Sequence, residues 1–241
     1  IKLREAIQHS CNVYFYLLGQ RLGIERIEKY SRLFGLGSPT GLKLQVEAAG
    51  LVPSPEWKKR VQGAPWYAGE TISVAIGQGP LTVTPIQLAR AAGLVATGSL
   101  VTPVLDRSRI PGEAEAGDFD PSNLELVRQA MWSVVNDWGT GRGAEVEGFN
   151  VCGKTGTAQT ISNRTKETLS EEEQERYTPN AWFVGFAPVE APEVVVAVIV
   201  QRGGSGGSEA APIAGRLFEQ YYGQTRGEDE EANLQIAELR P

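Results

Sequence analysis

Val151-Cys152-Gly153-Lys154-Thr155-Gly156-Thr157-Ala158-Gln159 sets a lysine between two glycines and follows it with hydroxyl-bearing residues. Two chemistries use such a string. One is a phosphate-binding loop, because Gly148, Gly153, Lys154 and Thr155 satisfy G-x-x-x-x-G-K-[ST]. That loop works between a buried strand and a helix whose first N–H groups hold phosphate. Here Gly139-Thr140-Gly141-Arg142-Gly143 reads as a flexible loop, and Gly156-Thr157-Ala158-Gln159-Thr160 is a poor helix start. No apolar strand ends in an acid for magnesium, since Val194 to Val200 runs into Gln201. The other chemistry needs an edge strand. Phe149 and Val151 alternate with Asn150 and Cys152 as at strand entry. On that strand Lys154 supplies a fixed positive charge, and the threonine hydroxyls can bind a carboxylate. Gly156 lets a substrate backbone lie against the strand. The flanking sequence favours the strand.

The 241 residues suffice for one large domain or two small ones with a sizeable core. A net charge of −6 argues against a nucleic-acid-binding surface. The single histidine, His9, makes a His-rich metal site improbable, and no zinc-like ligand spacing is present. Cys11 and Cys152 read as two small buried apolar residues, and the sequence does not decide whether they pair. No apolar run approaches the length of a membrane span. The chain opens at Ile1 directly in helix-like sequence and is read as the C-terminal piece of a longer protein, with a membrane anchor expected upstream.

Taken in order, Ser10-Cys11-Asn12 reads as a cap or turn into a buried helix over Val13 to Leu22. A second helix carries Ile24, Ile27, Ser31 and Phe34 and ends at Gly35 and Gly37. Residues 38–70, with Pro39, Pro53, Pro55 and Pro65, read as irregular, their tryptophans packed or lining a groove. Ser73 to Gly79 is a short apolar run closing on a glycine turn. Thr84-Pro85-Ile86-Gln87 is a capping box that starts a helix burying Leu88, Ala91, Ala92 and Val95. Short strands are expected at Val101 to Leu105. Ser122-x-x-Glu125 reads as another capping box, followed by an apolar stripe from Leu124 to Trp138. Residues 161–178 are polar. Ala181 to Phe186 and Val194 to Val200 form an antiparallel hairpin. A helix begins near Pro212. Residues 1–223 therefore form one body, and residues 224–241 an acidic, disordered tail.

In this order the stretches resemble the transpeptidase domain of class B penicillin-binding proteins of the elongation type, the penicillin-binding protein 2 family. Ser10-Cys11-Asn12 is similar to the family's S-x-N, and Lys154-Thr155-Gly156-Thr157 to its K-T-G-T. Trp57-Lys58-Lys59 and Pro65-Trp66-Tyr67 resemble the elongation subtype. Gly77-Gln78-Gly79 with Thr84-Pro85-Ile86-Gln87 resembles its glycine-glutamine-glycine loop and following helix, and Asn180 to Pro188 its next strand. The resemblance extends to about Tyr222. The sequence departs from the family at one point. No Ser-x-x-Lys occurs in it, so the acylated nucleophile is not in this chain, and the fragment alone is expected to be inactive.

The resemblance implies an α+β fold: a mostly antiparallel sheet flanked by helices, beside an all-helical lobe, N-terminally incomplete. It implies serine acyl transfer from D-alanyl-D-alanine stem peptides of peptidoglycan, and β-lactams as inhibitors. Ser10, Lys154 and Thr157 would be catalytic, and Asn12, Thr155, Gly156 and Thr157 would hold substrate. No metal or organic cofactor is implied. A membrane glycosyltransferase of the elongation machinery would be a partner. The location would be the bacterial inner membrane, with the catalytic domain on its periplasmic face and a part in cell shape. A β-lactamase or carboxypeptidase shares these motifs but passes the acyl group to water, and the Gly77-Gln78-Gly79 segment argues against it. A β-lactam sensor and the phosphate loop stay as alternatives.

Overall fold

A computed structural model describes residues 1–42, 46–106, 115–116, 119–161, 165 and 167–238. The Lys154 segment is a strand. In chain order the elements are α1 Leu3–Gln8, α2 Asn12–Leu22, α3 Ile24–Leu33, α4 Pro55–Gln62, α5 Ala68–Ala75 and α6 Pro85–Thr97. Then come β1 Ser99–Leu100, β2 Glu115–Ala116, α7 Pro121–Asn136, β3 Cys152–Ala158, α8 Glu171–Glu175, β4 Asn180–Ala187, β5 Val194–Val200 and α9 Ala211–Glu238. β3, β4 and β5 form an antiparallel sheet in that order, with β3 at the edge. Lys154 pairs with Val184, and Thr157 with Ala181. This excludes the phosphate loop, because Lys154 and Thr155 lie inside a strand and not at a helix N-terminus.

The sheet is covered on both faces. Ala181 and Phe183 pack with Val134 and Val135 of α7 and with Phe218 of α9. On the other side Cys152 and Phe186 pack with Ala92 and Val95 of α6 and Met131 of α7. Phe183, Phe186 and Phe218 are fully buried, each contributing about 1.5–3 kcal/mol by leaving water. Gly153 is a packing requirement: a Cβ there would stand 2.3 Å from Phe183 Cζ.

Several expectations from sequence hold. Thr84 caps α6, its side chain accepting from the Gln87 N–H while Gln87 Oε1 accepts from the Thr84 N–H. Of the four residues expected to be buried on α6, Ala92 and Val95 are, with Leu94 and Ala96 beside them, whereas Leu88 and Ala91 are only half-buried. β4 and β5 form the hairpin. Others need correction. α7 is capped by Asp120, whose carboxylate accepts from the Ser122 N–H, with Pro121 in the first turn. Ser122 is therefore inside the helix, and Glu125 instead meets Arg128 and Gln129. Trp138 leaves the stripe: α7 ends at Asn136, and Trp138 has a φ of 53° and is 76% exposed over Arg142. The segment 38–70 contains α4, capped by Ser54, and the start of α5. Its buried Lys58 pairs with Glu70 at 2.5 Å and lies over Tyr67. The strand near 101–105 is displaced to Ser99–Leu100.

α2 is less covered than its composition suggests. It meets α5 through Gly19, where a Cβ would stand 2.4 Å from Ala75 Cβ, while Val13 and Leu17 are exposed. α9 continues as one backbone helix across residue 223 to Glu238. No described helix is long and apolar enough to cross a membrane.

Candidate active site

A cleft of about 900 Å³ opens between the helical lobe and the free edge of β3. Ser10, Asn12 and Phe15 line one wall, Lys154, Thr155, Gly156 and Thr157 the other, and Ile76 and Gln78 one end. All six site residues expected from sequence are thus brought together. Among the described residues lining the cleft, Lys154 alone carries a full charge.

Ser10 owes its position to the end of α1. The Cys11 N–H reaches the Ala6 carbonyl at 2.9 Å and the Ser10 N–H reaches that of Ile7 at 3.2 Å. This pair of bonds is the Schellman stop, which favours glycine at the left-handed position. Ser10 occupies that position with φ of 53°, at a cost of roughly 1–2 kcal/mol. The turn sends its side chain across the cleft and starts α2 at Asn12, which is exposed to the cleft.

Lys154 comes from the sheet side. Its Nζ donates to Ser10 Oγ at 2.9 Å, although the two residues are 144 apart in sequence, and to the Thr155 carbonyl at 2.9 Å. Burial disfavours the ammonium and lowers its pKa to about 8. Cys152, two residues back on the same strand face, is fully buried, and burial pushes its thiol up to about 12. The shifts run in opposite directions from one cause, because the charged form is the base for Cys and the acid for Lys. Both cysteines are free; Cys152 is buried as expected, but Cys11 is only half-buried at the start of α2.

The threonines face further partners that the sequence reading did not assign. Thr155 and Thr140 share a hydroxyl–hydroxyl hydrogen bond of 2.7 Å. The Gly206 N–H approaches Thr157 Oγ1 at 3.5 Å from a π-helical turn, Gly206–Ala210, that precedes α9. Gln78 Nε2 donates to the Thr157 carbonyl at 2.9 Å. A Cβ at Gly156 would meet Trp182 Cβ at 3.2 Å, so the neighbouring strand by itself favours glycine there. Among the described residues, no group of three or more His, Cys, Asp or Glu side chains is placed to hold a metal ion. The arrangement offers a hydroxyl oriented by a cation, paired threonine hydroxyls, and an open strand edge for an extended peptide.

Comparison with known proteins identifies the family. Residues 1–219 match the penicillin binding protein transpeptidase domain. The chain is 40% identical over 238 residues to the peptidoglycan D,D-transpeptidase MrdA of Acinetobacter baumannii, covering 94% of this chain and 35% of that protein. It superposes on penicillin-binding protein 2 of Pseudomonas aeruginosa with a TM-score of 0.80 at 34% identity, covering 92% of this chain and 49% of that one. It also matches a chain of a peptidoglycan synthase complex described as coordinating polymerization and crosslinking, with a TM-score of 0.76 at 33% identity over 92% of this chain and 38% of that one. It spans less than half the length of each of these relatives. With residues 1–219 matched and the fold shared over 92% of its length, the chain belongs to the penicillin-binding protein transpeptidase domain family.

Proposed function

We propose that this chain forms two walls of a peptidoglycan D,D-transpeptidase site, completed by a serine and lysine on an S-x-x-K segment that the 241 residues do not contain. The observation that carries the reading is the 2.9 Å bond from Lys154 Nζ to Ser10 Oγ. An ammonium donor on that oxygen turns the Ser10 proton outward into the cleft. The completing serine attacks the penultimate carbonyl of a D-alanyl-D-alanine stem peptide. Ser10 takes the proton of that serine and passes its own to the leaving nitrogen of the terminal D-alanine. The resulting ester is then attacked by an amine of a neighbouring stem, which regenerates the serine and forms the cross-link.

Lys154 holds Ser10 and supplies positive field; with a pKa near 8 it is mostly protonated at neutral pH. The Thr155 and Thr157 hydroxyls take the substrate carboxylate, and Asn12 bonds the acyl-side amide. Gly156 leaves room for the peptide. The Thr157 N–H donates to the developing oxyanion, a bond worth roughly 3 kcal/mol. Residues 1–223 are the C-terminal part of this domain, and residues 224–241 are an acidic tail outside it. The domain works on the periplasmic face of the bacterial inner membrane with a membrane glycosyltransferase. The synthase-complex relative, described as coordinating polymerization and crosslinking, supports that partnership. β-Lactams acylate the completing serine.

The test is covalent labelling of the full-length protein with a fluorescent penicillin, together with release of D-alanine from a stem pentapeptide and its capture by an added amine. Labelling is expected in the wild type, none in the 241-residue chain alone, and a loss of about 100-fold or more in Ser10→Ala. A full-length protein that takes no label overturns the reading. Capture by water alone would reassign it as a hydrolase.

A further inference from the structure

An edge strand ends with N–H and C=O groups that call for a partner. At the outer end of β3 that partner is one side chain. Gln78 Nε2 donates to the Thr157 carbonyl at 2.9 Å, and the Gln159 N–H donates to Gln78 Oε1 at 3.3 Å. A primary amide has the donor and acceptor of a peptide group, so Gln78 pairs with the backbone on either side of Ala158 as an adjoining strand would.

The side chain is held from below. The Gln78 N–H bonds to the Ser73 carbonyl and the Gly77 N–H to that of Val74, both at 2.9 Å, so the residue rides on the end of α5. Gly77 and Gly79 on either side have φ of 75° and 74°, which lets the chain turn sharply on both sides of Gln78. In an extended strand the N–H and C=O of one residue point to the same edge. The bond on the Thr157 carbonyl therefore also fixes the direction of the Thr157 N–H.

We propose that Gln78 is a positioning residue for the acyl-transfer step: its amide clasps the outer end of β3 and aims the Thr157 N–H at the reacting carbonyl. The proposal rests on the transpeptidase reading. In that reading the N–H matters most when charge develops on the carbonyl oxygen, so loosening it slows the chemical step more than it weakens binding.

The experiment uses the full-length protein, with the rate of acylation by a fluorescent penicillin separated into binding and chemical steps, and amide hydrogen exchange read at Gln159. Gln78→Ala is expected to slow the chemical step by about 10- to 100-fold, the scale of a misplacement of up to 1 Å. Binding is expected to change little, and the Gln159 amide to exchange faster. Gln78→Glu keeps the acceptor for the Gln159 N–H but loses the donor to Thr157, so it should be as slow as Gln78→Ala at neutral pH. Its deficit relative to wild type should shrink as the pH approaches about 4, where the carboxyl regains a proton to donate. Wild-type chemical rates in both variants would overturn the proposal, as would a Gln78→Glu deficit that does not change with pH. If the wild type takes no label, the transpeptidase reading fails first.

Discussion

Gly206→Ala should damage the site through backbone contact alone. An added Cβ would stand 2.3 Å from the carbonyl oxygens of Gly156 and Trp182 and 2.9 Å from the Gly156 nitrogen. Carbon contacts relax only near about 3.5 Å, so the turn must back away from the sheet by about 1 Å. No side-chain rotation relieves the contact, since every clashing atom is main chain. Overpacking of this kind costs about 1–3 kcal/mol, and two strand carbonyls place it at the upper end. The same shift withdraws the Gly206 N–H from Thr157 Oγ1 and moves the Ser205 and Ser208 wall of the cleft. A displacement of about 1 Å near reacting atoms lowers rate by about 100-fold. The matched control is Gly93→Ala in α6, where the nearest atom to an added Cβ is Val195 Cγ2 at 3.9 Å. Relief of glycine's backbone entropy should make that variant more stable by about 0.5–1 kcal/mol. Denaturant midpoints and penicillin acylation rates of both full-length variants give the answer. A Gly206→Ala protein with wild-type midpoint and rate would refute the packing argument, as would a Gly93→Ala protein less stable than it.

Lys154 should leave a signature in the pH dependence of stability. The unfolded chain keeps that proton up to the ordinary lysine value of 10.5 and the folded protein releases it near 8, so the unfolded state binds more protons between those limits. Stability then rises with pH across that window, by up to about 3 kcal/mol from this residue. The difference in unfolding free energy between wild type and Lys154→Met, measured from pH 7 to 11, should carry this rise, and a flat difference would refute the burial assigned to the ammonium. Thiol titration should distinguish the cysteines. In the native protein the half-buried Cys11 reacts while Cys152, buried and with its thiol pushed up to about 12, does not, and both react after unfolding. Fast native reaction of two thiols would mean that the α6–α7 side of β3 is open.

What the sequence made legible was local. The hairpin could be read from two apolar runs at strand length, and the start of α6 from Thr84, Pro85 and Gln87, because each signal lies within a few residues. The α7 start was misplaced because Ser122 and Glu125 imitate a capping box three residues apart. Asp120-Pro121 carries the real cap, and its signal was the proline in the first turn. α4 was obscured in the same way: Ser54-Pro55 is a cap followed by a first-turn proline, lost among the other prolines of the segment. Trp138 was not separable from the α7 stripe, since its left-handed backbone is set by how the loop leaves the helix. In the site, K-T-G-T was readable as a strand. Thr140 beside Thr155 and Gln78 beside Thr157 were not, because no local pattern encodes contacts between segments that meet only through the fold.

Two lysines withdrawn from water differ in how they are compensated, and the difference supports the functional reading. Lys58 is nearly buried in the helical lobe and is answered by the Glu70 carboxylate at 2.5 Å, the arrangement that a structural lysine needs. Lys154 is drawn out of water too, yet its partners are the neutral Ser10 Oγ and Thr155 carbonyl. Its depressed pKa records that desolvation, with no carboxylate offsetting it. Ser10, on the other end of that bond, stands in a backbone conformation that favours glycine. Neither Ser10 nor Lys154 is what stability alone would select: glycine would relieve the turn, and an uncharged side chain would relieve the strand. A strained hydroxyl and an under-compensated cation therefore meet at one hydrogen bond, on the edge of a sheet open to an extended chain. Under the proposed reading, a stem peptide ending in a carboxylate would supply the missing negative charge, and that complementarity would match the cleft to a C-terminal peptide over a neutral or cationic ligand.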